Sequence, residues 1–406
     1  MQKLSEVAQV DAMSSADSFI IEAGGSERRV NLETLKGVLA SAVTTPPSTY
    51  TLEQNSNVIF DVSSNWAAYM YTSYMKGYLF KVVAGKVYAA LLNDSWDAFA
   101  DGTAIDDIAN YETMVHVPKC HFKGEGTKMT FGGLNPVAGG HTFDSPEWVG
   151  AYMMYVENNV GHSRPNVAPT HSKKMTEYWA AAQRLGSNFG LANYQFHCLI
   201  NAVYQAYYGN LNSQETIGSG FQYSSWEACR DVPMGKCISL GNGSGKVLYE
   251  DATLGKQYSV KLFGFEDLWG KLWEFRPGIR FYMDGDSRKA VVYSGNQVSN
   301  TASGREFVCL ATANGEYVTK MTLGEFWDMI PQAVDGSNTT YYADGTWAAT
   351  SGELLLVGGD ANAGSRCGVA ASSSSDGFSR SGTLVGARLA FYGTPILVSG
   401  AELVAM

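Results

Sequence analysis

The stretch ELLLVGGDANAGSRCGVAASSSSDGFSRSGTLVGARLAFYG, residues 353–393, constrains the fold more than any other part of the chain. Its two ends, residues 354–357 and 385–391, are apolar and bounded by glycines, the pattern of buried strands. Between them runs a segment that is nearly all Gly, Ala, Ser, Asp, Asn and Arg, with no hydrophobic period of its own. A Ser-rich run of this kind usually reads as a flexible linker, but linkers lie between domains or at termini. This one is pinned on both sides by core strands. Loops held by a rigid scaffold are where recognition surfaces sit, so the stretch reads as a fixed frame carrying exposed, replaceable side chains.

The remaining composition narrows the class. Only 17% of residues are charged against 44 glycines in 406 residues, which favours a compact, turn-rich, strand-containing body over long solvated helices. The length suggests two or three domains. A net charge of -10 argues against nucleic acid, whose phosphates need clustered Lys and Arg; Arg28-Arg29 and Lys173-Lys174 are isolated pairs. The six cysteines include no C-x-x-C pair, so a zinc ribbon is excluded and free, buried thiols are expected. Residues 1–7 lack the apolar core of a signal peptide and no window reaches the length of a membrane span. The expectation is a protein made in a cytoplasm, with no membrane insertion.

Taken in order, residues 18–23, the Gly24-Gly25 pair and residues 28–32 read as a hairpin followed by a helix through Val38 and Leu39, the paired glycines accepting the positive φ of a tight turn. That unit, residues 1–43, is too small to bury its own core. Residues 44–48, with Pro46-Pro47, form a stiff linker. Residues 49–110 read as a small strand-rich domain, with strands over 57–62, 77–83 and 86–91 and a hairpin turn at Ala84-Gly85. The aromatics Trp66, Tyr69, Tyr71, Tyr74 and Tyr78 read as sheet packing or a subunit interface. Residues 111–406 form the main domain. In it Ser172 caps a helix through Met175, Tyr178, Trp179, Ala182 and Leu185, and Asn193 caps a second through Phe196, Leu199, Ile200, Val203, Tyr204 and Tyr207, both at amphipathic spacing. Strands on either side of two packed helices make the α+β pattern. Thr322-Leu323-Gly324-Glu325 has capping-box spacing and predicts a short helix from Phe326 to Ile330.

Several chemistries fail on spacing. Residues 239–247 lack the glycine and the Ser or Thr that a P-loop needs, since Leu240 and Val247 stand there. On a strand over 115–122, His116 and Cys120 share a face but stand about 13 Å apart at ~3.3 Å per residue, too far for one ion. The six histidines have no G-x-S-x-G partner. No catalytic site, cofactor or metal is implied, and the chain reads as a non-enzyme.

Gly270-Lys271-Leu272-Trp273-Glu274-Phe275, then Gly358-Gly359, then Gly386-Ala387-Arg388-Leu389, resemble the motifs of the formylglycine-generating-enzyme type of C-type lectin fold. Over residues 115–393 the chain resembles, more narrowly, the retroelement-diversified tail-fibre adhesins of phages, the major tropism determinant class. The oxidase chemistry of the first group relies on two cysteines close together near the C-terminus, and Cys367 is the only cysteine after Cys309. Neither E-P-N, Q-P-D nor W-N-D, the calcium-binding triplets of lectins, occurs.

The resemblance implies a C-terminal C-type lectin fold with a variable region at about 342–393, and a phage tail-fibre tip that binds a host-cell receptor, protein or glycan. It further implies a homotrimer located in the virion, joined through its N-terminus to other tail or fibre proteins. Gly358, Gly359, Gly364, Gly368, Val385, Gly386 and Arg388 would be framework. Asp360, Asn362, Ala363, Arg366, Ala370, Ala371, Ser373, Ser375, Asp376, Arg380, Gly382 and Leu384, with Ala343 and Thr346, would face the receptor. Arg366 and Arg380 would be its best anchors. The rival expectation is a structural virion or cell-surface protein whose Gly/Ser stretch packs against neighbouring subunits.

Overall fold

A computed structural model describes residues 18–23, 26–31, 49–51, 62–223 and 226–406. At the N-terminus Ser18–Ala23 pairs antiparallel with Ser26–Asn31, from Ser18 opposite Asn31 to Ala23 opposite Ser26. The Gly24-Gly25 turn, the helix through Val38 and Leu39, the 44–48 linker and residues 57–61 of an expected strand lie outside the described residues.

Two seven-stranded sheets organise the rest, giving a mixed α+β, strand-rich body. The first runs Phe189–Leu191, Arg388–Phe391, Trp148–Met153, Glu112–His116, Gly77–Val83, Lys86–Leu91, Ile396–Leu397. Its third strand, Trp148–Met153, is buried along its whole length. Ala84 and Gly85, at φ 50° and 76°, make the left-handed turn between Gly77–Val83 and Lys86–Leu91. Gly77 pairs with Val115 and Phe80 with Glu112, so strands from both sides of the boundary expected at residue 110 share one sheet.

The second sheet runs Asp328–Val334, Ala313–Leu323, Gly345–Ala348, Ser372–Ser374, Leu356–Val357, Trp273–Phe275, Val385–Gly386. Four of its strands carry or border the three motifs and the long small-residue stretch. The chain leaves this sheet at Gly386 and enters the first at Arg388. That crossing is locked electrostatically. Arg388 is fully buried, donates to Glu274 at 2.6 Å, and donates to the carbonyls of Gly150, Ala151 and Glu266. Arg276 holds the second Glu274 oxygen at 2.8 Å. Burial alone would raise the Glu274 pKa, but the two guanidiniums outweigh it and hold the carboxyl below its ordinary range.

The two expected helices form at Met175–Gln183 and Tyr194–Tyr208. Asn193 caps the second by accepting from the Phe196 N–H at 2.9 Å, and Gly209, at φ 62°, ends it. The first starts from Lys174, whose N–H donates to Glu177 at 2.7 Å, in place of Ser172.

Three strand or helix assignments change. Val62–Ser73 is a helix; Ala68 and Tyr71 face the core while Tyr69, Met70 and Tyr74 are exposed. Of the aromatics expected to serve sheet packing or a subunit interface, Tyr69 and Tyr71 stand on different sides of this helix, Tyr69 edge-on to Tyr207 at 4.4 Å and Tyr71 against Phe131, while Tyr78 packs in the first sheet against Trp148. The helix expected from Phe326 to Ile330 is a hairpin, because Leu323, Gly324 and Trp327 all take positive φ and turn the chain back on itself. Pro118 lies in a break between strands Glu112–His116 and His121–Glu125, so His116 and Cys120 do not share a strand. All six cysteines are free and buried.

Candidate functional site

The long stretch folds as a shallow cleft of about 290 Å³ on the second sheet. Its floor follows from strand alternation. Trp347 pairs with Ser373 and Ser373 with Leu356; Leu356 pairs with Phe275, two residues on from Trp273. Side chains two apart on a strand point the same way, so Trp347, Ser373, Leu356 and Trp273 share one face. The two indoles meet edge to face at 5.3 Å, a favourable arrangement of ring quadrupoles.

The walls come from two loops and complete the lining with Asp360, Asn362, Ala363 and Arg366 on one side, Ser375, Asp376, Arg380 and Leu384 on the other. Asp360 anchors the first loop by accepting from the N–H groups of Asn362 and Ala363 at 2.8 and 3.1 Å. Burial raises its pKa, against the pull of those N–H groups and of the Trp273 side chain. Arg380 lies 3.5 Å from Asp376, a half-exposed pair of little energetic weight. Ser373 and Ser375 exchange a hydroxyl hydrogen bond at 3.0 Å. Asn362 and Arg366 are exposed.

Nine residues expected to face a receptor, Asp360, Asn362, Ala363, Arg366, Ser373, Ser375, Asp376, Arg380 and Leu384, thus line one cleft. Five do not. Thr346 and Ser372 point to the opposite sheet face and hydrogen-bond each other there at 3.1 Å, since each is one residue off the Trp347–Ser373 row. Ala343, Ala370 and Ala371 are buried, because residues 368–371 are tied down by Asp344, Ser213 and Asn201. Gly382 faces Ser172, whose N–H donates to its carbonyl. Trp273, Trp347 and Leu356 line the cleft without having been expected to; the alternation of residues around Ser373 was the signal that could have found them.

The frame under the cleft leaves no slack. Arg288, buried beneath, donates to Ser374 at its hydroxyl (3.1 Å) and at its carbonyl (2.6 Å). Gly358 takes φ 90°, and a Cβ there would stand 2.3 Å from the Leu268 carbonyl; only glycine fits.

Among the described residues no group of three or more His, Cys, Asp or Glu could hold a metal ion, and no helix is long and apolar enough to cross a membrane. No protein-family model matches the chain, and no curated protein matches it. Among solved structures the chain is similar to one named Major Tropism Determinant P3c Variant, with a TM-score of 0.29 and 17% sequence identity over 78% of this chain and 72% of that one. A likeness of that size carries no weight for function, which is argued from the cleft.

Proposed function

We propose that the chain is a receptor-binding protein of a phage tail fibre, and that the cleft above Trp273 and Trp347 is its contact face. The observation that supports this reading is a division of labour. Apart from the buried anchor Asp360, the walls are small or polar side chains with few internal commitments, while the floor and the residues beneath it are buried. Exposed substitutions of that kind usually change stability by no more than ~0.5 kcal/mol, so the lining can vary while the frame persists. A mouth holding indole faces, hydroxyls and two guanidiniums suits a protein or glycan surface, since Trp and Arg dominate contact energetics. Diversification of the 342–393 codons and assembly as a trimer belong to the same reading. The exposed Tyr69 and Met70 on the helix Val62–Ser73 and Tyr74 just after it supply apolar surface for subunit contact, and a monomeric mass by light scattering would remove the trimer from it.

The test is labelling of intact bacteria from a strain panel with the fluorescent purified chain. A subset of strains should bind it, and Asn362→Tyr or Ser375→Tyr, at wall positions that are not buried, should abolish or redirect labelling at an unchanged melting temperature. Labelling indifferent to both substitutions would leave the structural-protein reading ahead. The gene's surroundings give an independent check: a reverse transcriptase gene and a second copy of these codons differing at adenines accompany a diversified protein, and their absence removes that part of the reading.

A further inference from the structure

Behind the wall that carries Arg366, one side-chain amide is asked to serve more oxygens than it has hydrogens. The Nε2 of Gln214 donates to Ser365 O at 2.6 Å, to Ala343 O at 3.3 Å and to Cys367 O, and the same side chain acts on the carboxyl of Asp344. An amide nitrogen has two hydrogens; four oxygens surround this one.

Asp344 sharpens the mismatch. It is fully buried, its Oδ2 accepts only the Ala370 N–H at 2.8 Å, and its Oδ1 has no hydrogen-bond partner. The groups acting on it are the Ala370 N–H and the Gln214 amide, with no cation among them, and burial drives its pKa well up. A buried carboxylate without a counter-charge is costly. The surroundings are nonetheless built to keep it: a Cβ on Gly368 would stand 1.9 Å from Oδ1. Ala343 takes the left-handed φ of 55° that aims its carbonyl inward, a conformation costing of order 1 kcal/mol for a residue with a Cβ.

We propose that the Gln214 nitrogen marks a calcium site, in which Ca²⁺ is held by the carbonyls of Ala343, Ser365 and Cys367, the Asp344 carboxylate, and the Gln214 amide turned to present its oxygen. Rotation about the torsions of the half-buried Gln214 side chain withdraws the amide from the ion's position and turns its oxygen toward it, so the change needs no backbone movement. Five hard oxygens with one formal negative charge suit Ca²⁺, which takes six to eight oxygens in flexible geometry; Mg²⁺ demands a tighter octahedron and keeps its water. Gln214 is only half-buried, which gives the ion a way in. Ca²⁺ there would clamp the turn bearing Asn362 and Arg366 to the frame. The site stands on its own geometry, whether or not the cleft binds a receptor.

The chain, stripped with chelator and then freed of it, is titrated with CaCl₂ by calorimetry, with MgCl₂, NaCl and KCl in parallel and melting temperature as a second readout. One Ca²⁺ per chain and a raised melting temperature are expected, both lost in Asp344→Asn. Gln214→Glu, which adds a carboxylate to the same cage, should tighten Ca²⁺ binding about tenfold, since charge count tunes such sites. No saturation at millimolar Ca²⁺, or stabilisation by Na⁺ or K⁺ alone, overturns the assignment. Should Asp344→Asn fail to fold, Gln214→Glu decides: Ca²⁺ affinity no better than the parent's sinks the site.

Discussion

The crossing at Arg388 and the cleft at Arg366 use the same side chain for opposite ends. Arg388 has no exposed surface and six hydrogen bonds to four residues; Arg366 is exposed and lies on the rim. A guanidinium in the first setting cannot be lost without leaving one oxygen of Glu274 and three carbonyls unpaired in a low-dielectric interior. In the second setting water replaces whatever the side chain was doing. Tolerance to change is therefore a property of the surroundings and not of the residue type.

The comparison breaks first at its rigid end. Arg388→Met should cost about 3–5 kcal/mol, the penalty of removing one partner from a buried ion-pair network; a urea midpoint close to the parent's would show that Arg276 alone satisfies Glu274. The next effect is one of pH. Burial, with Arg276 adding to it, depresses the His197 pKa to about 3, while the unfolded value stays near 6.5. Between those values the unfolded chain binds a proton the folded chain refuses, so stability is retained above pH 6.5 and falls as pH drops below it, by ~1.4 kcal/mol per unit. Urea midpoints compared at pH 7 and pH 5 should lose ~2 kcal/mol more in the parent than in His197→Gln; equal losses would contradict a neutral His197. The smallest effect belongs to the cleft. Arg366→Ser should leave the melting free energy within ~0.5 kcal/mol yet weaken attachment to susceptible cells, and a stability loss comparable to that of Arg388→Met would erase the contrast.

Much of this contrast was legible in the residues. Gly358-Gly359, the Trp273 segment and Arg388 mark the frame, and alternation along 372–375 sends Ser373 and Ser375 one way and Ser372 and Ser374 the other. The misreadings have physical causes. Ala343, Ala370 and Ala371 look replaceable because they are small, but smallness here serves close packing under helices that are distant in sequence. The aromatics of residues 66–74 read as sheet packing or a subunit interface because aromatics favour strands in general; tertiary packing on Phe131 and Tyr207 holds Tyr71 and Tyr69 on a helix instead. The oxygen cage around Gln214 had no sequence trace, since three of its members are main-chain carbonyls, which every residue carries.

The crossing at Gly386 to Arg388 has one more consequence. The strand Arg388–Phe391 is an interior member of the first sheet, and Val385–Gly386 flanks Trp273–Phe275 in the second. Both are translated after the cleft. A polypeptide cut short by a stop codon or frameshift anywhere in residues 360–384 therefore lacks the pieces that close both sheets. Such truncated chains should fail to fold, so any chain that displays the cleft carries its own proof of full length.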